Sequence, residues 1–176
     1  MKTIAEYKQM LAAEGLLASD NAETADFSQE VTDVSYNSLT VKPGTLFLCK
    51  GANFKEAYLA DALAKGACGY VAASPQQLLF FMNVPCLVTG DIRAAISKIS
   101  AFYFNRSWDK GLKLIGLTGT KGKSTTATMI KAVLDLYRGR EIGFSSGIYT
   151  YDGQHREKSR KLTTPETIEL HRLLDG

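Results

Sequence analysis

The stretch "GLTGTKGKSTTATM", Gly116 to Met129, decides how the second half of this 176-residue chain folds. It lies between an apolar run, "LKLIGLT" at 112–118, and a helical pattern from about Lys123 to Tyr137. The apolar run is typical of a buried strand. Glycines in a strand-to-helix loop let backbone N–H groups turn toward an anion, and the helix adds its positive N-terminal end. The stretch therefore predicts an α/β domain with a phosphate-binding loop.

The loop is one residue off the standard nucleotide-binding pattern GxxxxGK[ST], which would need glycine where Leu117 stands. The chemistry survives the shift, because Lys123 can reach phosphate oxygens and the Ser124 hydroxyl can ligate Mg²⁺. The alternative is a glycine-rich turn that only permits tight packing, and the GKST quartet disfavours it. Lys123 is the predicted catalytic group and Ser124 the predicted metal ligand. The predicted nucleotide contacts are Thr118, Gly119, Thr120, Lys121, Gly122, Lys123, Ser124 and Thr125.

Composition places the chain among ordinary globular proteins, with 45% hydrophobic and 22% charged residues. The net charge of +3 sits in the second half, since residues 111–176 carry eleven Lys and Arg against seven Asp and Glu. That excess suits a polyanionic ligand or a solvated face, and no aromatic and basic interleaving indicates nucleic acid. Cys49, Cys68 and Cys86 lie in apolar stretches, which predicts buried thiols. Without a signal peptide or a membrane-length apolar run, we expect a cytoplasmic protein.

The first half alternates strand and helix patterns, which predicts a second α/β unit. We place the domain boundary in the polar "NRSWDKG" segment, giving residues 1–106 and 107–176. The predicted helices of the first unit are a pattern from Ile4 that includes Leu16 and Leu17, "FKEAYLADALAKGA" (54–67) stopping at Gly66, and "IRAAISKISAFYF" (92–104) capped by Asp91. The predicted strands are "VTDVSY" (31–36), "TLFLCK" (45–50), "CGYVAA" (68–73), "VPCLVTG" (84–90) and, less clearly, "LLFFM" (78–82).

Three segments resemble the Mur ligases, the ATP-dependent amide-bond formers of peptidoglycan precursor synthesis. "TGTKGKSTT" (118–126) resembles their ATP-binding signature TGTxGK[ST]T, which is also one residue off the standard loop. "SYNSLTVKPGTLFLCKG" (35–51) resembles the DSRxVxPGxLFxAxxG segment of their uridine-diphosphate-binding N-terminal domain. "LTTPET" (162–167) resembles the TTP motif of the MurE type, the UDP-N-acetylmuramoyl-tripeptide synthetases. The segments occur in family order and extend over most of the chain.

The resemblance also implies substrate-binding residues. Ser38 matches the family serine that contacts uridine diphosphate, whereas Leu39 stands where the family has arginine. Thr163 and Thr164 match the contacts to the muramoyl substrate, and capping of the last helix is the alternative explanation for them. Lys121 replaces the commoner asparagine, a variant associated with lysine-adding enzymes.

The function implied by the resemblance is ATP-dependent addition of a diamino acid, with a leaning toward L-lysine, to UDP-MurNAc-L-Ala-D-Glu through an acyl phosphate. ATP and Mg²⁺ would be required. The chain resembles an N-terminal UDP-binding α/β domain followed by the start of a P-loop ATP-binding α/β domain, and we expect such a portion to be inactive by itself. Two alternatives remain: another P-loop NTPase or kinase, and a non-catalytic module that binds a nucleotide or a UDP-sugar.

Overall fold

The chain forms two units, Met1–Asn105 and Arg106–Gly176, in a computed structural model. The structure describes residues 1–51, 54–74, 81, 83–105, 111–158 and 165–175. Both units combine helices with sheets, so the predicted α/β class is confirmed at that level.

The first unit is built on a five-stranded sheet with the order β2-β7-β6-β5-β4. Strands β4 to β7 are parallel, and β2 joins the edge antiparallel to β7. A separate two-stranded pair links β1 and β3. The strands are β1 (Lys2–Thr3), β2 (Leu17–Asp20), β3 (Glu30–Val31), β4 (Asp33–Ser35), β5 (Thr45–Leu48), β6 (Gly69–Ala72) and β7 (Cys86–Thr89). The helices are α1 (Ile4–Ala13), a short 3-10 helix η1 (Ser38–Thr40), α2 (Glu56–Ala64) and α3 (Ile92–Tyr103).

The central strands β5, β6 and β7 are buried along their whole length. This explains why they are continuous apolar runs in the sequence, since a parallel strand with both faces covered has no polar side. Leu59 and Ala62 of α2 pack with Phe47, Tyr70 and other strand residues on one face. The four strands predicted at 31–36, 45–50, 68–73 and 84–90 are confirmed. The "LLFFM" prediction lies mostly outside the described residues.

The helix ends of the first unit follow local hydrogen bonding. Thr3 and Glu6 form a capping box at the start of α1. The predicted Asp91 cap is confirmed, because its carboxylate accepts from the backbone N–H groups of Arg93 (2.9 Å) and Ala94 (3.1 Å). The predicted first helix was too long at its C-terminal end, since Leu17 begins strand β2. That edge strand has no apolar alternation and forms because β7 offers it an open backbone edge.

The three cysteines are free and buried, as predicted. Burial raises the pKa of the Cys68 thiol to about 11 and that of Cys86 to about 12. Tyr70 is also fully buried, and its hydroxyl is hydrogen-bonded to Cys86. These thiols are therefore core groups of the first unit.

The second unit contains one long helix, a three-stranded meander and a final helix. Its elements are α4 (Lys123–Arg138), β8 (Phe144–Ser145), β9 (Tyr149–Tyr151), β10 (Arg156–Lys158) and α5 (Thr167–Asp175). The strands are antiparallel in the order β10-β9-β8. The helix predicted after the glycine loop, the strands within 141–153 and the last helix are confirmed. Strand β10 was missed, because its sequence is charged and every residue in it is exposed.

The strand predicted at 112–118 is wrong for this structure. Residues 112–119 form no strand, and the side chains of Leu114 and Ile115 are each 61% exposed. Within the described part of the second unit, no strand hydrogen-bonds to this segment. An apolar run becomes a strand only when neighbours pair its backbone and cover its faces, so the sequence signal alone was insufficient.

Candidate functional site

The glycine loop leads directly into α4. Gly122 occupies the N-cap position with φ +78°, a left-handed conformation that favours glycine, and Gly119 also has a positive φ. No atom lies within 4 Å of a Cβ built on Gly122, so backbone conformation and not crowding requires glycine there. All residues from 116 to 122 are exposed. The loop is therefore open to a ligand and shaped by its glycines.

From Gly119 to Thr125, the backbone N–H groups of the loop and of the first helical turn have no hydrogen-bond acceptor among the described residues. The first such donor with an acceptor is Thr126, which donates to the Gly122 carbonyl at 2.9 Å. The 16-residue helix α4 adds the partial positive charge of its N-terminus to these donors. Donors in this arrangement bind phosphate oxygens.

Lys123 reaches back over the loop, where its ammonium donates a hydrogen bond to the carbonyl of Gly119. The ammonium therefore lies beside the loop donors, and phosphate oxygens would compete with a neutral carbonyl for it. Ser124 is half-buried in the first turn, and its carbonyl accepts from the Thr128 hydroxyl at 2.9 Å. The structure thus brings together the predicted nucleotide contacts of this loop. The exposed members of that group are Thr118, Gly119, Thr120, Lys121, Gly122 and Thr125.

The Mg²⁺ prediction rests on one side chain, the Ser124 hydroxyl. Among the described residues, no group of three or more His, Cys, Asp or Glu side chains could hold a metal ion. A single hydroxyl still fits Mg²⁺, because that ion keeps several waters and takes its remaining ligands from one or two protein oxygens and from substrate phosphates.

Ser38 lies in the first unit, at the start of η1, and is buried. Its carbonyl accepts from the Lys65 ammonium at 2.9 Å. The Lys65 ammonium and the Ser38 hydroxyl both hydrogen-bond the carboxylate of Asp61 and lower its pKa. In this structure the Ser38 side chain is therefore packed against α2. Asn37 shapes the turn, with its side-chain oxygen accepting from Leu39 N–H at 3.0 Å.

Two predicted substrate residues, Thr163 and Thr164, lie outside the described residues. The same holds for their alternative as caps of α5. The helix α5 begins at Thr167. Within it, the Leu170 N–H donates at 2.8 Å to the carbonyl of Glu166, the residue that precedes the helix.

A charge cluster surrounds Lys131 in the second unit, where the sequence predicts only a basic excess suited to a polyanion or a solvated face. Lys131 is only 5% exposed, and its ammonium binds the carboxylates of Asp135 and Glu141, the latter at 2.9 Å. Arg156 also binds Glu141 and lies 4.6 Å from the centre of the Tyr149 ring. Hydrogen bonds from Lys131 and Arg156 lower the pKa of Glu141. Lys131 therefore joins α4 to the segment that follows it. The i,i+4 spacing of Lys131 and Asp135 was the available signal.

No helix in the described ranges has the length and apolarity needed to cross a membrane.

Comparison with protein families gives a match over residues 117–176 to the Mur ligase middle domain. This match begins at the glycine loop and extends through α5.

Comparison with curated proteins gives similarity over most of the chain. It is 40% identical over 147 residues to UDP-N-acetylmuramoyl-L-alanyl-D-glutamate--L-lysine ligase of Enterococcus faecalis, covering 83% of this chain and 28% of that protein. It is 38% identical over 141 residues to UDP-N-acetylmuramyl-tripeptide synthetase of Lactobacillus acidophilus, covering 79% of this chain and 26% of that protein. The chain thus spans little more than a quarter of the length of these relatives.

Comparison with solved structures supports the fold alone, since the sequence identities are low. The structure of a UDP-N-acetylmuramoyl-L-alanyl-D-glutamate--2,6-diaminopimelate ligase matches with a TM-score of 0.63 and 19% identity, covering 85% of this chain and 30% of that one. MurF from Acinetobacter baumannii matches with a TM-score of 0.55 and 24% identity, covering 74% and 27%.

Proposed function

We propose, given that the chain belongs to the Mur ligase family, that it is the N-terminal portion of a lysine-adding MurE-type ligase. The complete protein would join L-lysine to the D-glutamyl carboxylate of UDP-MurNAc-L-Ala-D-Glu at the expense of ATP. The relatives named for this substrate and amino acid are similar over 83% and 85% of the chain. Cytoplasmic location would follow from the use of ATP and a nucleotide-linked precursor.

The observation that carries the proposal is the open loop before α4. Three features converge on one segment: backbone donors with no acceptor among the described residues, the N-terminal end of a long helix, and the Lys123 ammonium. This is the arrangement that binds a triphosphate tail. We assign residues 107–176 to the beginning of the ATP-binding domain, and residues 1–106 to the domain that binds the UDP portion of the substrate.

The chemistry asked of this chain is positioning and charge neutralisation. A carboxylate resists attack by an amine, whereas an acyl phosphate expels phosphate readily, so the role of ATP is to activate the D-glutamyl carboxyl group. The loop N–H groups would hold the phosphates, and Lys123 would neutralise charge that develops during transfer. Ser124 would contribute one oxygen to a bound Mg²⁺, which would supply positive charge to offset that of the phosphates. Ser38 would contact the uridine diphosphate, and Thr163 and Thr164 the muramoyl portion.

The activity test uses the full-length protein, because the 147 aligned residues cover 28% of the Enterococcus faecalis relative and the chain is expected to be inactive alone. Phosphate release from ATP should require both UDP-MurNAc-L-Ala-D-Glu and L-lysine. Release that depends on neither would favour a different P-loop NTPase. Binding of both nucleotides without release would favour a non-catalytic module.

The residue test uses calorimetric titration of variants with ATP and with UDP-MurNAc-L-Ala-D-Glu. Lys123→Ala should abolish detectable ATP binding and leave the UDP-linked ligand bound normally, because its ammonium hydrogen-bonds to the loop carbonyl of Gly119. Ser38→Ala should show the reverse pattern. Arg138→Ala is the matched control, since it is exposed in the last turn of the same helix, roughly 22 Å from Lys123 at 1.5 Å per residue. Unchanged ATP affinity in Lys123→Ala, or equal loss of both ligands in Ser38→Ala, would refute the assigned roles.

A further inference from the structure

The charge cluster around Lys131 joins α4 to the segments that follow it in the second unit. The Lys131 ammonium binds Asp135 within the helix and Glu141 beyond it, the latter at 2.9 Å. Asp135 also accepts a hydrogen bond from the Ile142 N–H at 2.8 Å. Glu141 in turn binds Arg156 of β10. One connected set of polar contacts therefore runs from α4 through residues 141 and 142 to the meander.

Two aromatic rings of β9 lie beside the cations of this cluster. The Lys131 ammonium is 5.8 Å from the centre of the Tyr151 ring, and the Arg156 guanidinium is 4.6 Å from that of Tyr149. Both distances fall within the range of cation–π attraction. The two cations are matched by two carboxylates, so the cluster has no net charge with which to attract an anion. Its contacts connect elements of the unit.

The attachment of α4 to the meander depends strongly on these charged contacts. Lys131 is the one buried residue of α4, a helix that the structure describes in full. Of its six large apolar side chains, Ile130 and Leu134 are half-buried. The other four are 64–85% exposed, namely Met129, Val133, Leu136 and Tyr137. Apolar packing therefore contributes little to holding α4 against β9 and β10.

The cluster can act on the glycine loop only through the direction of α4. Its four charged groups have no hydrogen bond or ion pair with the loop among the described residues. Lys123 and Lys131 are eight residues apart, which is about 12 Å along a helix. A tilt of α4 by about 10° at the cluster would displace the loop by about 2 Å over that length. A misplacement of about 1 Å can cost roughly 100-fold in rate.

We propose that Lys131 is a positioning residue for the nucleotide-binding loop, acting through Glu141 and Arg156 to fix the direction of α4. This inference rests on the proposed function, because it concerns transfer of the γ-phosphoryl group of ATP held at the loop. The loop donors move with the helix, so their own arrangement is kept when α4 tilts. Transfer, in contrast, needs the phosphoryl group in line with the acceptor carboxylate. Loss of the cluster should therefore lower kcat and leave the KM for ATP nearly unchanged.

The measurement is steady-state phosphate release by the full-length protein with ATP, UDP-MurNAc-L-Ala-D-Glu and L-lysine. Lys131→Met should lower kcat about 10- to 100-fold and change the KM for ATP by less than about twofold. Lys131→Arg, which keeps the positive charge, should retain most of kcat. Arg138→Met is the matched control, because it removes an exposed cation from the same helix outside the cluster. Its kcat should equal that of the unmodified protein.

A double variant separates positioning from folding. Lys131→Met alone leaves carboxylates without their cation, whereas Lys131→Met with Glu141→Gln removes one charge of each sign. Asp135 keeps the Ile142 N–H in both variants. The double variant should therefore unfold at nearly the same temperature as the unmodified protein and still show the lowered kcat.

The outcomes separate this role from the ligase function. If the unmodified protein is active and the double variant keeps kcat within about twofold, the role of Lys131 is refuted and the ligase function stands. Equal changes in kcat and in the KM for ATP, or a loss of activity that always accompanies a lowered unfolding temperature, would assign the cluster to the shape of the loop or to stability and would also refute positioning. If the unmodified protein releases no phosphate with both substrates present, the proposed function fails and the inference fails with it.

Discussion

Replacing Gly122 by alanine would isolate the backbone contribution to the proposed nucleotide binding. Gly122 has φ +78°, and an added Cβ would meet no atom within 4 Å, so the substitution introduces conformational strain without a clash. An L-residue in the left-handed region costs roughly 1–2 kcal/mol. Because the loop is exposed, alanine at this position should relax to another conformation in the free protein. ATP binding would then have to restore the strained conformation, and this cost would lower the ATP affinity about 5- to 30-fold.

Gly116→Ala is the control for this experiment. Gly116 has no positive φ, and a Cβ added at this position would also meet nothing within 4 Å. The ATP affinity of this variant should match that of the unmodified protein in calorimetric titration. Both variants should keep the unmodified thermal unfolding midpoint, since the loop is solvent-exposed. Equal ATP affinity for all three proteins, or an equal loss in both variants, would refute the argument that the observed conformation of Gly122 is the binding conformation.

Two further predictions concern stability, and both are measured by unfolding. Tyr7→Phe should raise the free energy of unfolding by about 1 kcal/mol, because the buried Tyr7 hydroxyl has no hydrogen-bond partner among the described residues. Tyr70→Phe should lower it by a similar amount, because the Tyr70 hydroxyl is hydrogen-bonded to Cys86. Destabilisation by Tyr7→Phe would mean that the Tyr7 hydroxyl has a hydrogen-bond partner. The lowered pKa of Glu141 means that its contribution to stability is fully present above the ordinary value of 4.5 and is lost as the pH falls through the lower folded-state pKa. Glu141→Gln should therefore make the second unit less sensitive to acid, and Glu157→Gln, an exposed substitution in β10, should not.

The first unit could be predicted from sequence to the extent that each strand carries its own signal. Strands β5 to β7 are buried on both faces, so their sequences are apolar throughout. Strand β2 gave no such signal, because "LASD" owes its structure to pairing with β7 and not to its own side chains. The same reasoning explains β10, whose "REK" sequence pairs with β9. Pairing partners distant in sequence are what a local pattern omits.

The strand predicted at 112–118 is the opposite error, because it was predicted from the sequence and is not observed. Its apolar residues resemble those of the buried strands, but Leu114 and Ile115 are mostly exposed and no described strand pairs with the segment. Strand formation is a property of the neighbours as well as of the sequence. An apolar run therefore predicts what a segment can become when it is covered.

The candidate sites also differ in whether their determinants are local in sequence or come from distant segments. The geometry of the glycine loop could be predicted because its determinants are local: a glycine with a positive φ and a helix whose first residue, directly after that glycine, is a lysine. Ser38 could be located by motif, but its burial against Asp61 and Lys65 depends on α2, which lies about twenty residues away in the sequence. A loop made of one turn can therefore be found from residues alone, whereas a buried contact between two elements requires the fold.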